Sequence, residues 1–181
     1  MNNREIKEFE ENMKNQRAEK GYSDSDVWNL FSWFLDIMPK MLTQLRDTHM
    51  GYPDSIVTSD EEWTKVLDRM IFLLTEMNED TCSYVNKYQD DVDKAHYEFE
   101  KIYGLMGEKL ADILETEEEK EDYKKRGVKR WYSYADDPNH PEHKELRTKW
   151  ILEEQIKRNY MDRCREEFFN LFSKYFWNLW D

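Results

Sequence analysis

GYSDSDVWNLFSWFLDIMPKMLTQLRDTHMGYP, residues 21–53, carries the pattern that decides the fold class. Val27, Leu30, Phe31, Phe34, Leu35, Met38, Met41, Leu42 and Leu45 recur at steps of three and four, which is one stripe of a 3.6-residue helix. Ser23, with Asp26 three residues on, forms a capping box in which Asp replaces the usual Glu or Gln. Gly51 and Pro53 close the segment. The stretch predicts a helix over 24–47, kinked near Asp36–Met38 because Pro39 removes a backbone bond and crowds the preceding turn.

Outward from this helix the same period continues. Ile6, Phe9 and Met13 give residues 1–20 a thin apolar face, a helix prone to fraying. Thr48–Ser59 reads as a loop. Ser59 and Glu62 open a helix over 59–77 with Trp63, Val66, Leu67, Met70, Leu73, Leu74 and Met77 on its stripe. A further stripe from Val85 to Ile113 predicts a helix over 83–114, continuous with the previous one or separate from it. Gly104 and Gly107 inside that stripe suggest a close helix crossing. ETEEEKED, residues 115–122, is a solvated charge run, and 123–141 reads as a basic, aromatic loop marked by Pro138 and Pro141. A last helix over 142–179 ends in FFNLFSKYFWNLWD, whose aromatics call for burial. The expected architecture is an all-α bundle of five or six helices in one domain, 1–181, with Trp28, Trp63 and Trp150 in its core.

Composition supports this class. Charged residues make up 37% and aromatics 15%, so a wet surface is combined with many large core side chains, unlike a disordered chain. Five Gly and four Pro leave few turns, which favours long elements. Cys82 and Cys164 lie near apolar stripes and read as buried free thiols rather than a disulfide framework. A polar N-terminus and no apolar run of about 18 residues predict a soluble cytoplasmic protein without a signal peptide or membrane span. The net charge of −13 is uneven: residues 1–50 carry −2, residues 51–122 carry −14 and residues 123–181 carry +3. Such a chain excludes non-specific nucleic-acid binding, while its acidic middle can imitate nucleic acid towards a basic partner.

YSDSDVWNL (22–30), LRDTHMGYP (45–53) and EEWTKVLDRMIFLL (61–74) together resemble the N-terminal block of a family of uncharacterised proteins from bacterial viruses and prophages. Chains of that family also tend to end in a motif like KYFWNLWD (174–181). The resemblance covers roughly 21–77 and 171–181 and brings no catalytic residues with it. It implies a viral accessory protein working in the host bacterial cell. With no catalytic signature, the leading expectation is a non-enzymatic protein that binds a host protein, in the manner of a counter-defence factor. Self-association through the aromatic C-terminal helix is also expected.

The competing expectation is a nucleotide-binding helical protein. Lys124, Lys125, Arg126, Lys129 and Arg130, followed by Trp131 and Tyr132, offer cations for phosphates and ring faces for bases. The structural alternative is that these cations neutralise the adjacent acidic run while the rings pack inside. Glu108, Asp112 and Glu115 fall on one side of a helix and can hold Mg²⁺, and GEKLADILE faintly resembles a carboxylate motif of MazG-type nucleotide pyrophosphatases. A facing Glu-x-x-Glu pair is missing, and Asp90 and Asp93 replace it only loosely. No cofactor is expected unless hydrolysis holds, when Mg²⁺ is. His140 and His143 with Glu142 between them hint at zinc, but a Pro-flanked helix entry explains them equally well.

Overall fold

The computed structural model describes residues 2–128 and 130–180. Among these residues the secondary structure is entirely helical: α1 (Asn3–Lys20), α2 (Asp24–Trp28), α3 (Leu30–Thr48), α4 (Asp60–Glu76), α5 (Gln89–Tyr103), α6 (Glu108–Leu114), α7 (Glu117–Arg126) and α8 (Glu142–Tyr175). Short 3₁₀ turns cover Tyr134–Asp136 and Phe176–Asn178. No described helix is long and apolar enough to cross a membrane. Within the length read as one domain the chain gathers into two compact units, Met1–Ser83 with Met161–Asp181, and Tyr84–Tyr160.

Eight α-helices replace the five or six expected because three expected helices or loops divide differently. The helix over 24–47 breaks at Asn29, whose backbone (φ −135°, ψ 62°) leaves the helical region, while Pro39 stays inside α3. Asn is a weak helix former. The helix over 83–114 starts only at Gln89, because Asn86 organises the turn before it: its side chain accepts from the Tyr88 amide at 3.0 Å and its carbonyl from the Gln89 amide at 3.1 Å. It ends at Gly104, and Gly107 starts α6. These glycines therefore interrupt the helix rather than let two helices cross. Part of the expected 123–141 loop is helical, since α7 runs to Arg126 with Thr116 and Glu119 as its capping box. The last helix stops at Tyr175, four residues before the expected end.

The first unit is built on α4. Trp63, Leu67, Met70, Leu73 and Leu74 are fully buried, and Leu42 of α3 and Cys164, Phe168 and Tyr175 of α8 are buried in the same unit. Trp63 lies 5.6 Å from the Tyr175 ring, and Phe34 meets Phe168 edge-on at 6.0 Å. Arg69 grips Glu167 through two bonds of 2.7 Å. By contrast the α2–α3 stripe is largely in water: Trp28 is 92% and Phe31 70% exposed, and Leu35 is only partly buried. Trp63 is thus the core tryptophan expected, Trp28 is a surface residue and Trp150 is half-buried. The two cysteines lie apart with no disulfide between them; Cys164 is buried as expected, whereas Cys82 is only half-buried.

The second unit packs α5, α6 and the first part of α8 around Val92, Ala95, Phe99, Tyr103, Leu110 and Tyr132. Trp150 joins this core and donates its indole N–H to Gln89 at 2.9 Å. Asn86 donates to the Trp150 carbonyl at 3.1 Å, and Tyr84 donates its hydroxyl to Glu153 at 2.7 Å.

A candidate ligand groove on α6, α7 and the following loop

α7 begins with three acidic residues, Glu117, Glu118 and Glu119, and ends with Lys124, Lys125 and Arg126. That order suits the helix dipole at both ends. Gly127 closes the helix in the left-handed region (φ 65°), and its amide bonds back to the Lys124 and Tyr123 carbonyls. The chain then turns back along the helix. Tyr132, buried in the core, donates its amide to the Met106 carbonyl at 3.2 Å and its hydroxyl to Glu115 at 3.0 Å. Burial and that carboxylate hold the Tyr132 phenol above its ordinary pKa.

An open groove of about 660 Å³ results. One wall is α7, where Lys120, Tyr123, Lys124 and Gly127 face it at steps of three, four and seven, a single helical face. The other carries Met106, Glu108, Ala111 and Glu115, and Val128, Arg130 and Trp131 complete it. The lining is mainly apolar, with a few charged groups, and the size is that of a small-molecule site.

The charges divide by register. Lys125 pairs with Glu121 at 3.8 Å, Arg126 pairs with Asp122, and Lys120 pairs with Glu117 at 3.0 Å. Lys124 has Lys120 at its i−4 position, and no ion-pair partner stands beside it among the described residues. The Arg130 guanidinium lies 5.1 Å over the Tyr132 ring, and a bond to the Tyr123 side chain holds its pKa above the usual value. Trp131 is 66% exposed. The carboxylates are occupied within the fold, Glu108 accepting from the Met106 amide at 3.2 Å and Glu115 from Tyr132.

Of the residues predicted to bind a ligand, Lys124, Arg130 and Trp131 line this groove. Lys125 and Arg126 are engaged with their acidic neighbours, Tyr132 is buried behind the wall, and Lys129 lies outside the described residues. The basic stretch therefore divides residue by residue: Lys125 and Arg126 are paired and Tyr132 is buried, while Lys124, Arg130 and Trp131 border the groove. Of the predicted Mg²⁺ ligands, Glu108 and Glu115 border the groove, whereas Asp112 is exposed on α6 and 4.0 Å from Lys120. Glu115 caps α6 in extended backbone (φ −89°, ψ 136°), so the three do not continue one helical face. Lys120 and Tyr123 were missed by sequence reasoning, although their spacing to Lys124 and Gly127 is the signal that places them.

The histidines outside this groove are distributed unevenly. His49 bonds Asp60 at 3.0 Å. His140, Glu142 and His143 converge, with one ligand atom from each within 4.8 Å of the others. Comparison with protein-family models, with curated proteins and with solved structures finds no match for this chain.

Proposed function

We propose that this chain is a non-enzymatic accessory protein that acts by binding, and that its groove takes a nucleotide. One observation carries the reading: Lys124, Arg130 and the exposed ring of Trp131 open onto one mainly apolar groove of about 660 Å³. Cations at one side grip phosphate oxygens, and an aromatic face stacks on a base without choosing among bases. The groove carboxylates already accept bonds from the fold, and Asp112 stands outside the lining, so the groups present serve binding rather than metal-assisted hydrolysis. Sequestering a nucleotide agrees with the resemblance to viral accessory proteins.

The test is a thermal-shift series of nucleoside mono-, di- and triphosphates. A ligand at 100 times its dissociation constant adds about 2.7 kcal/mol to the folded state. The expected result is a shift that Trp131→Ala and Lys124→Ala each abolish, since both side chains are exposed and their removal leaves the fold intact. No shift with any nucleotide refutes the reading.

A second reading, docking of a protein, is favoured by the α2–α3 surface and by the exposed rings of Phe176, Trp177 and Trp180. Self-association through the C-terminal rings predicts a mass above that of a single chain in light scattering at micromolar concentration. A clean monomer removes that reading.

A further inference from the structure

His140, Glu142 and His143 form a cluster that the groove does not use. The loop that presents it is anchored from below. Asp137, buried, accepts from the Asn139 amide at 2.9 Å and from the Tyr103 hydroxyl at 3.3 Å, and Asn139 in turn donates to Tyr103 at 3.0 Å. His140 donates its amide to the Asp137 carbonyl at 3.2 Å. Pro141 has a fixed φ, and His143 donates its amide back to the His140 carbonyl at 3.0 Å as α8 begins. The backbone that carries the three side chains is thus tied to α5.

The side chains carry the second observation. His143 Nδ1 lies 3.2 Å from the Tyr134 carbonyl oxygen. A carbonyl only accepts, so Nδ1 bears the hydrogen, and in the neutral ring the lone pair is on Nε2. Metal-ligating histidines are fixed in this way by a backbone carbonyl behind them. The His140 and His143 rings stack at 4.9 Å with planes 18° apart, and Glu142 lies 2.9 Å from His140 Nδ1. The nearby carboxylates of Glu98 and Asp137 add negative potential around His140.

We propose that His140, Glu142 and His143 bind a divalent transition-metal ion, Zn²⁺ foremost, with a fourth position left to water. Two imidazoles and one carboxylate are a donor set that Zn²⁺ takes, with ligand distances of about 2.0–2.2 Å. Ligands around a tetrahedral ion then stand roughly 3.4 Å apart. The cluster, within 4.8 Å, closes onto the ion by side-chain rotation of about an ångström, and Glu142 is exposed and able to make it. The ion displaces the proton shared by His140 and Glu142.

Titration calorimetry of the intact chain with ZnCl₂, after chelator treatment, tests the proposal. One equivalent is expected to bind at micromolar or lower dissociation constant, with Mg²⁺ producing no heat. Glu142→Gln, His140→Gln and His143→Gln are each expected to weaken Zn²⁺ at least tenfold, the lower bound of what even an outer-shell loss costs. His49→Gln, at Asp60 in the other unit, should bind as the parent does. Glu142→Gln guards against a folding artefact, because its side chain is exposed. No zinc binding by the parent chain, or undiminished binding by all three variants, overturns the site.

Discussion

Gly107→Ala and Gly127→Ala form a matched pair that tests how the groove wall is held. Both glycines lie in the left-handed region, at φ 68° and 65°, so the backbone term is shared. It amounts to about 1–2 kcal/mol for an L-residue. The lost freedom of the unfolded chain returns about 0.4–1 kcal/mol. Gly127→Ala, with open space around its new methyl group, should therefore cost about 0–1.6 kcal/mol. At Gly107 the methyl carbon would meet Tyr132 Cβ at 2.8 Å, Phe99 Cζ at 3.0 Å and the Tyr132 carbonyl oxygen at 3.1 Å. Two of these belong to backbone or to a Cβ and cannot swing aside. Overpacking of this kind adds about 1–3 kcal/mol, for a total of about 1–5 kcal/mol. Amide hydrogen exchange of α5 and α6 at increasing urea reports this unit by itself. Equal losses in the two variants, within about 0.5 kcal/mol, would refute the close approach and the placement of Tyr132 against α6.

In the first unit Leu67→Ala should lose about 2–5 kcal/mol from a fully buried site, and Leu35→Ala clearly less, because Leu35 is only partly covered; urea midpoints that rank them the other way would move the core from α4 to α3. Asp26 accepts from Arg17 at 2.9 and 2.5 Å and from the Ser23 amide at 2.7 Å, and the Arg17 guanidinium foremost holds its carboxyl far below the usual carboxylate range. A depressed folded pKa gives stability that is present above the ordinary value of about 3.9 and is lost as pH falls through the folded value. Docking of α1 onto α2 should therefore be independent of pH from about 5 upward and weaken below about 4, and Asp26→Asn should remove this acid dependence. A carboxyl titrating at an ordinary value by NMR would refute it.

The helical class was legible because periodicity depends only on each helix's own residues. Ser59 and Glu62 marked the start of α4 for the same reason, and its stripe from Trp63 to Leu74 became the core. What periodicity does not carry is which of two apolar stripes another element will cover. Residues 27–41 are as apolar as the α4 stripe, yet Val27, Trp28, Leu30, Phe31 and Met41 are exposed. Gly104 and Gly107 were read through helix propensity, although two glycines three residues apart permit a positive-φ turn equally well. His140, Glu142 and His143 stand together in the sequence; the support beneath their loop was not legible, since Tyr103 reaches Asp137 across 34 residues of sequence.

The groove's chemistry follows from a register that the sequence does contain. On a helix, residues four apart share a face, so an acidic residue of α7 with a cation four positions on can claim it. Glu121 claims Lys125 and Asp122 claims Arg126. Lys124 falls four residues after Lys120, a like charge, and three after Glu121, which is already paired. The helix that pairs Lys120, Lys125 and Arg126 with acidic neighbours therefore leaves Lys124 without one among the described residues, facing the groove on the stripe of Lys120, Tyr123 and Gly127. Shifting the register tests this directly. Lys120→Glu supplies an acid four residues before Lys124 and favours their pairing by about 0.3–0.5 kcal/mol. Its larger effect is to replace a cation at the groove wall with an anion. A phosphate-bearing ligand should lose affinity in Lys120→Glu far more than in Lys125→Glu, whose side chain lies outside the lining. Equal losses would mean that only the net charge of the protein matters, and the groove would then have no claim on the ligand.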